Sequence, residues 1–236
     1  MKLSKLHLVS GIALLALLGC GYAQQSLHGR VDLTKSGHRL KDASRAVVWL
    51  TPIGTTVEAP KQTNIPQLVQ KNKSFQPSLL VIPAGGKVEF PNHDPFFHNV
   101  FSLFEGKRFD LGLYESGSTR FVQFDKPGVS FIFCNIHAEM SAVVIALNTP
   151  YYAISDVRGD ITIPDVPPGR YQLQVFHSAV APDALRAMSR EITVAPGESN
   201  LGNFTLSETD VTAAHKNKYG RDYDRPEPAS PAYARP

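Results

Sequence analysis

Apolar and polar residues alternate in short runs along most of this chain, and Gly, Pro, Asn or Asp bounds almost every run. Runs of this length with β-branched and aromatic residues predict strands. They fall at residues 28–31, 46–50, 78–81, 87–90, 99–103, 119–124, 129–134 and 142–146. Residues 151–163 alternate and turn like a hairpin, and beyond Pro167-Pro168-Gly169 the residues Tyr171, Leu173 and Val175 alternate onto one face. Segments 191–194 and 201–206 would complete that sheet, and residues 182–189 predict a short helix. There are no heptads and no repeat array, and the spacing of strands and turns predicts an all-β chain built from sandwiches.

The two ends and one internal segment break the pattern. Lys2 and Lys5 precede an apolar run over residues 6–18, the polarity order of a signal peptide and too short to favour a membrane span. Two endings compete: small residues at Gly21-Tyr22-Ala23 suit an ordinary signal peptidase, and Leu17-Leu18-Gly19-Cys20 resembles a bacterial lipobox. Leu18 is not the usual lipobox residue, so residues 1–23 are read as a cleaved leader. The expected location is periplasmic or secreted, with a lipid anchor only if Cys20 is lipidated. Residues 52–76 are rich in Pro, Lys, Gln, Asn and Thr and read as an extended connection. From Ala214 onward the chain is polar and proline-rich, a tail expected to be disordered or strapped over the surface.

Composition narrows the function classes. With 236 residues, 42% hydrophobic and 19% charged, the chain can bury a normal core. Removing the leader takes two lysines and no acids, leaving 22 basic against 21 acidic residues, a formal net of +1. No dense basic patch appears, which argues against a nucleic-acid partner. Export would normally pair cysteines, yet once Cys20 is removed or lipidated Cys134 has no partner. A lone thiol in an exported protein points to metal binding, reactivity or an intermolecular bridge.

Cys134 stands in the stretch Phe133-Cys134-Asn135-Ile136-His137-Ala138-Glu139-Met140, between two predicted strands. A loop this short lets Cys134, His137 and Met140 converge. Thiolate, imidazole and thioether suit a soft or borderline metal, and two histidines, a cysteine and a weak axial methionine make a blue-copper set. Zinc suits the set less, because a thioether is a poor zinc ligand. A hydrolytic Cys-His pair fails on context, since Cys134 ends a strand rather than opening a helix. Upstream, Phe90-Pro91-Asn92-His93-Asp94-Pro95-Phe96-Phe97-His98-Asn99-Val100 offers His93 in a turn and His98 at the start of an apolar strand. His98 is the candidate, because the strand would fix its ring. Asn99 would tie the two loops together by hydrogen bonds and so steady the ligand. His28, His38 and His93 read as surface residues.

This pattern resembles the cupredoxins: an upstream His-Asn, then Cys-x-x-His-x-x-Met after a strand ending in an aromatic residue. The short loop is similar to that of amicyanin. The resemblance covers residues 76–147 and includes Val88-Glu89-Phe90-Pro91-Asn92 and the turn Asp125-Lys126-Pro127-Gly128. It implies a Greek-key cupredoxin β-sandwich with one type 1 copper, His98, Cys134 and His137 as strong ligands and Met140 as the axial one. Such a protein is an electron carrier rather than an enzyme. No histidine flanks Cys134 to relay electrons onward as in multicopper oxidases, and the loop lacks the second cysteine of a binuclear site. The implied partner is a redox protein such as a c-type cytochrome or a dehydrogenase, meeting the exposed edge of His137.

Residues 148–210 hold a second resemblance. Gly159-Asp160-Ile161-Thr162-Ile163-Pro164-Asp165-Val166-Pro167-Pro168-Gly169-Arg170-Tyr171 is similar to the transthyretin-like, carboxypeptidase regulatory-like sandwich. Bacterial chains with this combination are often labelled methylamine-utilization-like. Residues 24–75 form an N-terminal β segment and linker, whose strands would join either sandwich, and residues 211–236 form the tail. Two other functions stay open: a periplasmic copper chaperone or storage module, and a surface interaction module without a redox role.

Overall fold

The computed structural model describes residues 25–58, 60–103, 106–209 and 215–223. The leader and Cys20 lie outside them. Strands come first as β1 (Gln25–Lys35), β2 (His38–Arg39) and β3 (Val47–Pro52). Next are β4 (Val69–Gln70), β5 (Phe75–Gln76), β6 (Leu79–Pro83), β7 (Lys87–Pro91), β8 (His98–Ser102), β9 (Phe109–Tyr114), β10 (Thr119–Gln123), β11 (Gly128–Cys134) and β12 (Ser141–Leu147). The chain continues through β13 (Tyr152–Ile154), β14 (Asp160–Val166), β15 (Gly169–Phe176), the helix α1 (Pro182–Met188), β16 (Arg190–Val194) and β17 (Asn200–Ser207). Among the described residues the fold is all-β apart from α1. Among the described residues no helix is long and apolar enough to cross a membrane.

The first and last strands build one sandwich together. β1 pairs antiparallel with β14 and parallel with β17, while β3 lies between β13 and β15, with β16 at the edge. The alternation within each strand explains the packing: Leu27, Val31 and Leu33 of β1 face Val48, Leu50, Leu173 and Val175 of the opposite sheet in one core. The N-terminal segment therefore joins this outer sandwich. Two expectations change. Residues 151–163 are not a hairpin, because β13 and β14 belong to different sheets. The chain turns the corner between layers at Asp156, whose side-chain carboxylate accepts from the amides of Arg158 and Asp160, each at 2.9 Å. Gly159 sits at φ +86°, and a Cβ there would lie 1.9 Å from the Val31 carbonyl oxygen, so only glycine fits this corner. Likewise β17 pairs with β1 rather than extending the β15–β16 sheet.

Between β3 and β13 the chain leaves this sandwich and builds another. The exit and return are pinned together, with the Leu50 amide donating to the Tyr151 carbonyl at 2.9 Å and the Thr149 hydroxyl to the Leu50 carbonyl at 2.8 Å. The inserted sandwich has a five-stranded sheet in the order β6-β12-β11-β8-β9, a β7–β10 pair, and the short β4–β5 ladder beside β7. Its core includes Leu68, Val88, Phe90, Val100, Tyr114, Phe124, Ile132, Cys134, Met140 and Val144. β12 is buried on both faces after Ser141, which is why its sequence is a continuous apolar run rather than an alternating one. Its outward side chains Val143, Ile145 and Leu147 meet Val47, Trp49 and Phe176 of the outer sandwich. Each such side chain contributes about 1.5–3 kcal/mol on burial, so this seam holds the two sandwiches together.

Candidate metal centre

β8, β11 and the loop after β11 meet in the inserted sandwich. β8 opens with His98, and β11 ends with Cys134, which pairs with Val100 of β8. The following loop closes on itself: the Met140 amide donates to the His137 carbonyl at 3.1 Å, and the Cys134 amide to the Met140 carbonyl at 3.3 Å. The loop thus turns the His137 side chain back toward Cys134. His98, Cys134 and Met140 are fully buried and His137 is 8% exposed. Cys134 Sγ lies 3.5 Å from His98 Nδ1 and 3.7 Å from His137 Nδ1, and the three donor atoms all lie within 4.8 Å of one another.

These distances test whether a metal fits. Bonds of about 2.0–2.1 Å to nitrogen and about 2.3 Å to sulfur set nitrogen and sulfur about 3.5–3.8 Å apart for angles from tetrahedral to trigonal. Both observed separations fall in that range. Met140 is fully buried and belongs to the same core as Cys134. His93, the other candidate from the same stretch, is exposed.

A residue not singled out from the sequence completes the site. Asp94 is 3% exposed and its Oδ2 lies 2.9 Å from His98 Nε2. The carboxylate fixes the proton on Nε2 and leaves Nδ1, which faces the sulfur, with its lone pair. Asp94 is itself held from across the loop, its oxygens accepting from the amides of Asn72 at 2.6 Å and Lys73 at 3.0 Å. Burial alone would raise its pKa, yet the Lys73 amide, His98 and the Asn72 amide outweigh it and hold the carboxyl below its ordinary range. Asn92 shapes the turn: its side chain accepts from the Asp94 amide at 3.0 Å and donates to the Phe96 carbonyl at 2.8 Å. Phe96 then packs its ring 5.3 Å from that of His98 and 5.4 Å from that of His137.

The surroundings favour neutral imidazoles. Burial, then the neighbouring His98, pushes His137 down to about 4. Burial also lowers His98, against the pull of Asp94. The Cys134 thiol is raised, by burial first, although the amides of Asn99, Ile136 and His137 donate to its sulfur. A metal ion would displace the thiol proton, and those amides would then stabilise the thiolate. Asn99 ties the two loops through its main chain, with its carbonyl also accepting from the Asn135 amide at 2.9 Å. Its side chain turns away to Asp110 Oδ1 at 2.6 Å and the Gly112 carbonyl at 3.0 Å.

No protein-family model matches the chain, and no curated protein matches it significantly. Among solved structures it is similar to the copper-containing nitrite reductase of Thermus scotoductus SA-01, at 24% identity over 42% of this chain and 26% of that one, with a TM-score of 0.35. It is also similar to a purple cupredoxin of Nitrosopumilus maritimus, at 23% identity over 35% of this chain and 99% of that one, TM-score 0.32. Amicyanin of Paracoccus versutus is 20% identical over 42% of this chain and 97% of its own, TM-score 0.33. The chain thus spans about a quarter of the nitrite reductase.

Proposed function

We propose that this chain is an exported protein that binds one copper ion at His98, Cys134 and His137, with Met140 as a weak axial ligand, and carries single electrons. The observation that carries this reading is the pair of nitrogen-to-sulfur separations, 3.5 and 3.7 Å, among buried side chains, with Met140 buried in the same core. Two imidazoles, a thiolate and a methionine sulfur favour copper over zinc. Bound there, copper supplies a one-electron Cu(II)/Cu(I) couple.

The chain's own residues favour transfer over catalysis. The four donors are almost entirely shielded, which leaves little room for a substrate beside them. The donor atoms are held by strands, by the closed loop and by the Asp94 hydrogen bond, so the arrangement is set before metal enters and resists change with oxidation state. His137 keeps the only exposed surface among the four candidate ligands, and is the edge through which a redox protein would exchange the electron. The label methylamine-utilization-like has no support of its own in these residues.

Loading the mature protein with Cu(II) tests the reading. An intense visible thiolate-to-copper band with narrow copper hyperfine splitting, lost in Cys134→Ala, is the expected result. A colourless protein, or a spectrum the substitution leaves unchanged, would favour a copper chaperone or an interaction module.

A further inference from the structure

The tail does more than trail from the outer sandwich. Residues 215–223 contact the end of β11, the start of the ligand loop and β9, and both ends are anchored at Phe133 and Cys134. At one end, His215 stacks on Phe133, the residue before Cys134, with ring centroids 4.1 Å apart and planes at 17°. In the middle, the Lys218 amide donates to Asn135 Oδ1 at 2.9 Å, and Lys218 Nζ pairs with Asp110 Oδ2 at 2.8 Å. At the other end, the Tyr223 hydroxyl donates to the main-chain carbonyl of Cys134 at 2.7 Å. The His215 and Tyr223 rings meet edge to face at 5.2 Å, which closes the segment on itself. A turn built on Asn217 holds the shape between them, its side-chain oxygen accepting from the amides of Tyr219 and Arg221.

The anchors converge on one short stretch. Phe133, Cys134 and Asn135 are consecutive, and each is gripped by a different group of the segment. Asp110, the fourth anchor, also accepts from the Asn99 side chain, and Asn99 in turn sends its amide to the Cys134 sulfur and receives the Asn135 amide. The segment therefore braces both sides of the Cys134 hinge, where β11 gives way to the ligand loop. A surface tail held only by burial would have no reason to satisfy the carbonyl of the cysteine and the side chain of the next residue.

We propose that residues 215–223 are a clasp belonging to the metal centre, with Tyr223 as a positioning residue that fixes the Cys134 hinge and hence the direction of its sulfur. The proposal rests on the reading of Cys134 as a copper ligand. Its physical content is preorganisation: a thiolate whose backbone is braced on three consecutive residues cannot swing as the metal's charge changes.

Full-length Tyr223→Phe tests this, because it keeps the ring and removes only the hydroxyl; Asn135→Ala releases the segment from the other side. In the metal-free protein, amide hydrogen exchange at Cys134, Asn135 and Lys218 should quicken about fivefold for one lost hydrogen bond, with β1 and β15 of the outer sandwich unchanged. In the Cu(II) protein, the thiolate-to-copper band and the copper hyperfine splitting should shift in both variants. Unchanged exchange overturns the clasp. Faster exchange with unmoved spectra overturns the positioning role and leaves a structural strap. If the unsubstituted protein shows no thiolate band, the copper reading fails by itself, and exchange in the metal-free protein alone decides whether the clasp braces the loop.

Discussion

The His98 ring nitrogen that faces away from the sulfur ends on a buried carboxylate. A neutral acceptor there would steady the ring equally well, but a carboxylate would also place negative charge one ring away from the proposed copper, which would favour the more positive oxidation state. Asp94→Asn should therefore raise the reduction potential by about 60 mV, a tenfold shift for a one-electron couple, with the visible band retained. Voltammetry of the two proteins checks this, and an unchanged or lowered potential would show that Asp94 only positions the ring. The grouping of His98, Cys134 and His137 was legible because the spacing is local: Cys134 and His137 share one loop with Met140, and His98 announces an apolar strand. Asp94 was not. In the sequence it is one acid in a turn, and its role appears only when Asn72 and Lys73, both at positive φ (54° and 53°), bring two amides across to it.

At the scale of elements, β12 joins both halves of the molecule. One face packs with Cys134 and Met140 in the inserted core, and the other forms the seam with β3 and β15. Ile145 lies on the seam face and is fully buried. Ile145→Ala should cost about 2–5 kcal/mol, read as a lowered midpoint in denaturant unfolding of the metal-free protein. A loss under about 0.5 kcal/mol, the level of a surface change, would mean the sandwiches do not support each other. Most strands were legible from alternation or from continuous apolar runs, and α1 from its proline start. β9 was missed because Asp110 and Gly112 interrupt its pattern; Asp110 serves Asn99 and Lys218 there rather than the core. The corner at Asp156–Gly159 looked like a hairpin tip, since turn chemistry does not say whether the next strand rejoins the same sheet.

Over the whole molecule, one sandwich is inserted into another, and the tail returns to the inserted one. Contacts of this range leave little local trace. The pairing of Val31 with Phe204 joins opposite ends of the described chain, so the sequence left the N-terminal segment between two homes. The arrangement has a functional sense: the outer sandwich grips the exit and return of the inserted one, its seam backs the sheet that carries Cys134, and the clasp covers the hinge of the ligand loop. The proposed metal centre would thereby be braced from three directions, as a site that is to change charge without changing shape requires. X-ray absorption at the copper edge, on the Cu(II) and Cu(I) forms of the full-length protein, tests that claim most directly. The expected result is two imidazole nitrogens and one short sulfur contact in both forms, with bond lengths nearly unchanged on reduction. A site without the short sulfur contact, or one whose coordination number changes on reduction, would contradict it.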